Sequence, residues 1–193
     1  MTFNPLLLDV PETFESERLT LRAPRFGDGP ALYAAVAETL DTLRVWMPWA
    51  LEPQSPELLE AYARRTRVQY LARENFGLLL VLKGTETVVG GSGLEVRGWD
   101  VPMFEIGYWC RKRFEGQGYI TEAVNAITRF AFEHLNAERI IIRCDATNAR
   151  SAAVARRAGY TFECISRHDA RAVGTNELRD SMQFAMLRDG FGK

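Results

Sequence analysis

A chain of 193 residues, 47 % of them apolar, is long enough to bury a full hydrophobic core and suits one domain. Its 24 Lys and Arg nearly balance 25 Asp and Glu, for a net charge of −1, which argues against a general nucleic-acid or anionic-membrane binder. Three cysteines (Cys110, Cys144, Cys164) without a CxxC pair, and only two histidines (His134, His168), argue against a metal centre and for free thiols in a reducing cytoplasm.

The N-terminus carries no basic segment ahead of an apolar run, so no secretory signal is expected. Arg18–Leu19–Thr20–Leu21–Arg22 alternates polar and apolar and predicts a half-buried strand, ended by Pro24 and Gly27–Asp28–Gly29. Pro30 suits the first turn of a helix continued by Leu32, Val36, Leu40 and Leu43. Trp46–Met47–Pro48–Trp49 reads as a short aromatic loop. Ser55 ahead of Pro56 and Glu57 signals a second helix, running to about Leu71. Strands are predicted over 76–82 and 87–96, joined through Lys83–Gly84, and over 102–110. The stretch 76–82 is far too short to cross a bilayer, and a soluble, cytoplasmic protein is expected. A basic, glycine-bearing turn over 111–118 leads into a helix with Ile120, Val124, Ile127, Ala131 and Leu135 on one face. Ile140–Ile141–Ile142 reads as a buried strand, followed by a polar loop from Asp145 to Asn148. An alanine-rich helix over 149–158 stops at Gly159, and strands over 161–167 and 181–187 complete the pattern. No repeat or linker marks a second domain. The expectation is one α+β (mixed α/β) domain over 1–193, with its core in 15–188 and a mixed sheet.

Chemistry concentrates between Tyr108 and Thr121, where a strand runs through a basic turn directly into a helix. Gly116 and Gly118 reach backbone angles closed to other residues and let a ligand approach the main chain. Free N–H groups and the positive dipole at a helix start suit an oxyanion, above all a pyrophosphate, and Arg111, Lys112 and Arg113 add positive charge. A plain connecting turn with solvated arginines would use the same residues. No GxGxxG is present, and Gly116–Gln117–Gly118 is not followed by Lys–Ser/Thr, which sets aside dinucleotide and Walker A loops.

Arg113–x–x–Gly116–x–Gly118 resembles the Q/R-x-x-G-x-G/A signature of GNAT acyltransferases. Three further stretches resemble the RimJ/RimL branch of N-terminal acetyltransferases: Ser16 to Arg22, Glu105 to Trp109, and Asn148–x–x–Ser151 ahead of Ala158–Gly159–Tyr160. The resemblance implies the GNAT fold, a mostly antiparallel mixed sheet with helices on both faces. That sheet would splay between the fourth and fifth predicted strands, at Cys110 and Ile140. It implies acetyl-coenzyme A as donor, its pantetheine arm in the opening and its amides paired with main-chain groups of Trp109 and Arg111, with Cys110 between them. Main-chain N–H groups of Glu115, Gly116, Gln117, Gly118, Tyr119 and Ile120 would take the pyrophosphate, beside Arg113, and Thr121 would add a hydroxyl. Asn148 has a capping role open to it as well as a contact to pantetheine, and Ser151 falls near the sulfur.

Acyl transfer from a thioester to an amine requires a neutral amine, a stabilised carbonyl oxygen and a hydrogen bond for the departing thiolate; no protein nucleophile is needed. A strand N–H at Tyr108 or Trp109 would serve the oxygen, and Ser151, or less directly Tyr160, the sulfur. Glu105 is the candidate base, crowded by Phe104, Ile106, Tyr108 and Trp109, although a structural ion pair would explain it equally. Trp46, Met47 and Trp49 are candidates for the acceptor wall. A terminal α-amine, near ~7.7–8.0, loses its proton more readily than a lysine near ~10.4, which favours a protein N-terminus as acceptor. A small-molecule amine, a succinyl donor and a non-catalytic acyl-coenzyme A binder are the alternatives. Direct nucleic-acid, membrane and metal binding are not expected; related enzymes are often dimers, but the sequence marks no dedicated interface.

Overall fold

The computed structural model describes residues 3–192. Its centre follows from one segment: β3 (Asn75–Leu82) is apolar almost throughout, and such a run is stable only when both faces are covered. Leu78 and Leu80 join one core cluster and Leu79 and Val81 the other, the alternation expected of a strand between two layers. β2 (Leu19–Arg22) pairs with one edge of β3, and β1 (Thr13–Glu15) pairs outside β2. On the other side, β4 (Val88–Gly98) and β5 (Met103–Cys110) continue an antiparallel meander. β6 (Arg139–Asp145) follows, then β8 (Leu178–Leu187) and the edge strand β7 (Thr161–Arg171), in the order β1-β2-β3-β4-β5-β6-β8-β7. β5 and β6 are the parallel pair, held through Met103↔Arg139, Phe104↔Ile140 and Glu105↔Ile141. Beyond Glu105 the two strands part.

Helices α1 (Gly29–Trp46) and α2 (Pro56–Leu71) cover one face, where Leu32, Val36 and Leu59 pack on Leu79, Val81 and Val88. Helices α3 (Tyr119–His134) and α4 (Ala149–Arg157) belong to the other face, with Val124, Ile127 and Ala131 against Phe104 and Ile106. The Ser55 hydroxyl caps α2 by accepting from Leu58 N. The N-terminus of α1 is capped from α2 instead: the Glu60 carboxylate accepts from Gly27 N and Gly29 N at 3.0 Å each. Asp28, at the N-cap of α1, is spent on a buried bidentate pair with Arg22.

The architecture corrects several expectations. β1 was not predicted, so the fourth and fifth predicted strands are β5 and β6. Trp46 closes α1 rather than opening a loop, and Pro48–Leu51 forms a 3-10 turn. β7 and β8 extend past their predicted ends. β7 is exposed along most of its length and carries a register shift between Ser166 and Ala170, so its pattern lacks the alternation of a half-buried strand.

Candidate active site

Strand β5 organises the site. Its side chains alternate: Phe104, Ile106, Tyr108 and Cys110 point toward α3, while Glu105, Gly107 and Trp109 point toward α1 and α2. Its main-chain groups alternate within the sheet plane as well. Arg111 N donates to Val89 O at 2.8 Å, and Arg111 O accepts from Phe114 N. With Gly91↔Trp109 and Gly90↔Cys110 in register, Trp109 also turns its main-chain groups toward β4. Tyr108 and Cys110 are left to face the opening, whereas the main-chain groups of Trp109 and Arg111, expected to pair with pantetheine, are turned to β4 and to the following turn.

Across the opening, the Tyr108 hydroxyl lies 3.0 Å from both the carbonyl oxygen and the hydroxyl of Ser151 in α4. The carbonyl can only accept, so it takes the tyrosine proton, and the Ser151 hydroxyl donates to Tyr108. Burial pushes the Tyr108 hydroxyl up to about 12 and the Cys110 thiol up to about 12, and it raises Cys144 as well. Neither thiol next to the opening is therefore an activated nucleophile. Asn148 caps α4 by accepting from Ser151 N at 3.0 Å, and its amide NH2 meets no acceptor among the described residues. Tyr160 is 4 % exposed and bonded to Thr128 at 2.6 Å, which makes it a core residue.

At the far end of β5, Gly116 and Gly118 adopt φ of 73° and 83°. The N–H groups of Gly116, Gln117 and Gly118 donate to no protein acceptor among the described residues, and the first-turn N–H groups of Tyr119, Ile120 and Thr121 have no partner within the helix. The result is a concave array of donors at the start of α3. The Thr121 hydroxyl accepts from Arg157 at 3.4 Å, leaving its own proton to donate. Glu115 is held by Arg150 at 2.7 Å.

The signature residue Arg113 does not add free charge to this cradle. Its guanidinium is engaged by Glu38 of α1, which also takes Arg111 Nε at 2.8 Å and Arg113 N at 3.1 Å. The Arg113 guanidinium holds the Glu38 carboxyl down at about 2, against an opposing effect of burial and with help from Arg111. From the opposite side, Arg18 donates from Nη1 to Gln117 O at 3.1 Å and pairs with Glu122 at 2.7 Å. Ser16 and Arg18 N complete the hold on Glu122, both at 2.7 Å. The N-terminal Ser16–Glu17–Arg18 stretch thus pins the first turn of α3.

Glu105 sits where β5 and β6 part. Its side chain is 14 % exposed and bridged by Arg97 at 2.6 Å and Arg143 at 3.2 Å; Arg97 also reaches Glu95 at 3.1 Å. The crowding foreseen from its neighbours is accompanied by two guanidinium groups from β4 and β6. Glu105 also lines a cavity of about 540 Å³ between the sheet and the α1–α2 layer. Met47, Trp49, Leu59 and Tyr62 form its walls, and Gly77, Gly91, Gly93 and Gly107 its floor. Trp46 is not part of the lining. Gly91 is required by packing, since a Cβ there would fall 2.4 Å from the Trp109 indole nitrogen.

A family model described as the acetyltransferase (GNAT) domain matches residues 18–161. The chain belongs to the GNAT acetyltransferase family. Acetyl-CoA is therefore its donor, and the donor cradle and the opening beside Tyr108 suit the pyrophosphate and pantetheine of such a molecule. YdaF of Bacillus subtilis (strain 168), provisionally named a ribosomal N-acetyltransferase, is 28 % identical over 90 % of this chain and 93 % of its own. A ribosomal-protein-serine acetyltransferase of Escherichia coli (strain K12) is 36 % identical over 31 % of this chain and 33 % of its own. Among solved structures, MccE with acetyl-CoA and AMP superposes with a TM-score of 0.84 at 19 % identity, over 92 % of this chain and 97 % of MccE. The ribosomal L7/L12 acetyltransferase RimL with coenzyme A gives 0.82 at 22 % identity, over 94 % and 98 %. These two likenesses establish the shared fold.

Sequence reasoning missed Arg97, Arg143, Glu38, Glu95 and Tyr62. Glu95 and Arg97 lie two apart on β4, and their shared face could have been read from the period of two. Arg143 and Glu38 reach the site across long sequence separations and left no local sign.

Proposed function

We propose that this acetyltransferase moves the acetyl group of acetyl-CoA directly to the α-amine of a protein N-terminus, in the cytoplasm, through one catalytic domain spanning the chain. The observation that carries the reading is the continuity along β5: a donor cradle at its far end, an opening flanked by Tyr108 and Ser151, and a cavity behind Glu105 on the opposite face. The relatives named for ribosomal proteins support a protein acceptor.

Acetyl-CoA supplies an activated acyl thioester when bound. The chain's own contributions follow from position. N–H groups of the glycine turn and Thr121 hold the pyrophosphate, and main-chain groups of Tyr108 and Cys110 align the arm, with the Asn148 amide as a further donor. An N–H of β5 at Tyr108 stabilises the acyl oxygen as charge develops on it. Ser151 turns its hydroxyl to hydrogen-bond the departing sulfur, which leaves as the thiolate and keeps that bond without taking the serine proton. Tyr108, near 12, does not surrender its proton to a thiolate whose thiol titrates near ~8.5, so it acts as a hydrogen-bond donor and orients Ser151. Glu105 accepts the amine proton, through water, while Arg97 and Arg143 fix its orientation. Trp49 and Met47 belong to the acceptor wall.

Acetyl is preferred over a dicarboxylic acyl group because the charged side chains lining the cavity are acidic, Glu52, Glu95 and Glu105. The deciding experiment follows thiol release from acetyl-CoA with peptides and small amines. Turnover with an amine at a rate above hydrolysis supports transfer; acyl-CoA binding without turnover of any amine would leave a binding module instead.

A further inference from the structure

The cavity beside Glu105 is larger and more apolar than a small N-terminal side chain requires. We infer that the acceptor is a primary amine bearing a bulky apolar or aromatic group next to the amino carbon. This deepens the proposed transfer reaction and rests on it.

Three observations carry the inference. The first is volume: about 540 Å³ falls in the range of pockets that hold a whole small molecule, more than a serine or alanine side chain occupies. Unfilled apolar space forfeits dispersion contacts on every lining atom. The second is the state of the walls. Trp49, Leu58 and Tyr62 line the cavity yet are 40 %, 57 % and 52 % exposed, while Leu32, Val36 and Leu59 behind them are buried. Large apolar side chains gathered around one mouth leave surface for an occupant to cover. The third is charge. Glu95 and Glu105 are balanced by Arg97 and Arg143, whereas Glu52 forms no ion pair among the described residues and leaves one uncompensated carboxylate that attracts an ammonium group. An apolar slot with an unpaired carboxylate at its margin fits a cationic amine attached to a hydrophobic body.

Gly107 offers a direct test. It lies on the cavity floor between Glu105 and Trp109, and a Cβ built on it meets nothing within 4 Å. A side chain at this position would occupy acceptor space while leaving the neighbouring protein atoms undisturbed.

The full-length protein is assayed with acetyl-CoA and matched pairs: phenylalaninamide against alaninamide, and peptides beginning Phe or Leu against peptides beginning Ser or Ala. Tryptophan fluorescence, titrated with the same amides in the absence of donor, reads binding alone. The expected result is kcat/KM roughly 10- to 100-fold higher for the bulky member of each pair, with tighter binding in the titration. Gly107→Val should bring the ratio within each pair close to one while the thermal shift with acetyl-CoA persists. Tyr62→Ala should raise KM for the bulky members alone, and it serves where the strand substitution fails to fold. Activity on the free amides but not the peptides would support a small-molecule source, and activity on both an N-terminal one. Equal or higher kcat/KM for Ser and Ala starts overturns the inference and leaves acetyl transfer intact. No turnover of any amine with donor bound overturns the transfer reading and this inference together.

Discussion

Ser151 makes two separable contributions. Its main-chain N–H is capped by Asn148, whereas its hydroxyl meets Tyr108 at 3.0 Å. Ser151→Ala keeps the cap and removes only the hydroxyl. Melting temperature should therefore stay within a few degrees while kcat falls about 10²-fold and KM for acetyl-CoA changes little. Unchanged kcat would remove Ser151 from the chemistry. Glu105→Gln tests the base. Arg97 retains Glu95, and Arg143 retains Asp169 at 4.0 Å, so the fold should survive. Turnover should drop about 10²-fold, with acetyl-CoA affinity unaltered. An unchanged kcat would make Glu105 an ion-pair residue only. At Gly118, φ of 83° is strained for any side chain, and a β-branched one suffers most. Gly118→Val should fold with lowered stability and lose acetyl-CoA affinity by at least tenfold, read by calorimetric titration. Retained affinity would discard the pyrophosphate cradle.

At the scale of elements, carboxylates hold the α1–α2 layer together and tie it to the rest of the molecule. Glu38 binds the Arg111–Arg113 turn, and Glu60 of α2 caps α1. Arg113 chiefly holds Glu38 at about 2, and Arg64 together with the N–H groups of Gly27 and Gly29 holds Glu60 at about 2. A carboxyl depressed in the folded state stabilises above its unfolded value, near 4.5, and loses that contribution as pH falls toward 2. Melting temperature should thus decline between pH 4.5 and 2, and the double variant Glu38→Gln, Glu60→Gln should show a shallower decline. An identical slope would deny these contacts a role in acid stability. The same elements mark what could be read from sequence. β3 was legible because burial on both faces leaves an unbroken apolar run, and α2 because Ser55 and Pro56 announce a helix start. β1 has three residues and no periodicity to detect. The aromatic stretch Trp46–Met47–Pro48–Trp49 reads as loop, whereas the helix ends only after Trp46.

For the whole molecule, legibility divides by continuity. The cradle is one stretch from Arg111 to Thr121, so its chemistry was written locally. The cavity draws on α1, α2, β3, β4 and β5, and the Arg97–Glu105–Arg143 bridge depends on strand register, which a sequence alone does not carry. Donor binding should nevertheless stabilise the entire fold: at a hundredfold excess over Kd, ~2.7 kcal/mol raises Tm by roughly 5–11 °C. Acetyl-CoA should produce the shift and NADPH none; no shift with any coenzyme A species would make the glycine turn purely structural.

Where β5 and β6 separate, the backbone of each runs on without its neighbour. Past the pairing of Glu105 with Ile141, the two flanks are tied at the opening by side chains, Arg143 to Glu105 and Tyr108 to Ser151. Amide hydrogens along such a seam, lacking a strand partner, exchange faster than those in the paired sheet. Pantetheine lying in the gap would slow exchange at Tyr108 and Cys110 and steady the flank carrying β6 in the same event. For as long as it is held, a donor in the gap would act as a removable strand of the protein's own sheet, stripped out and replaced with every turnover.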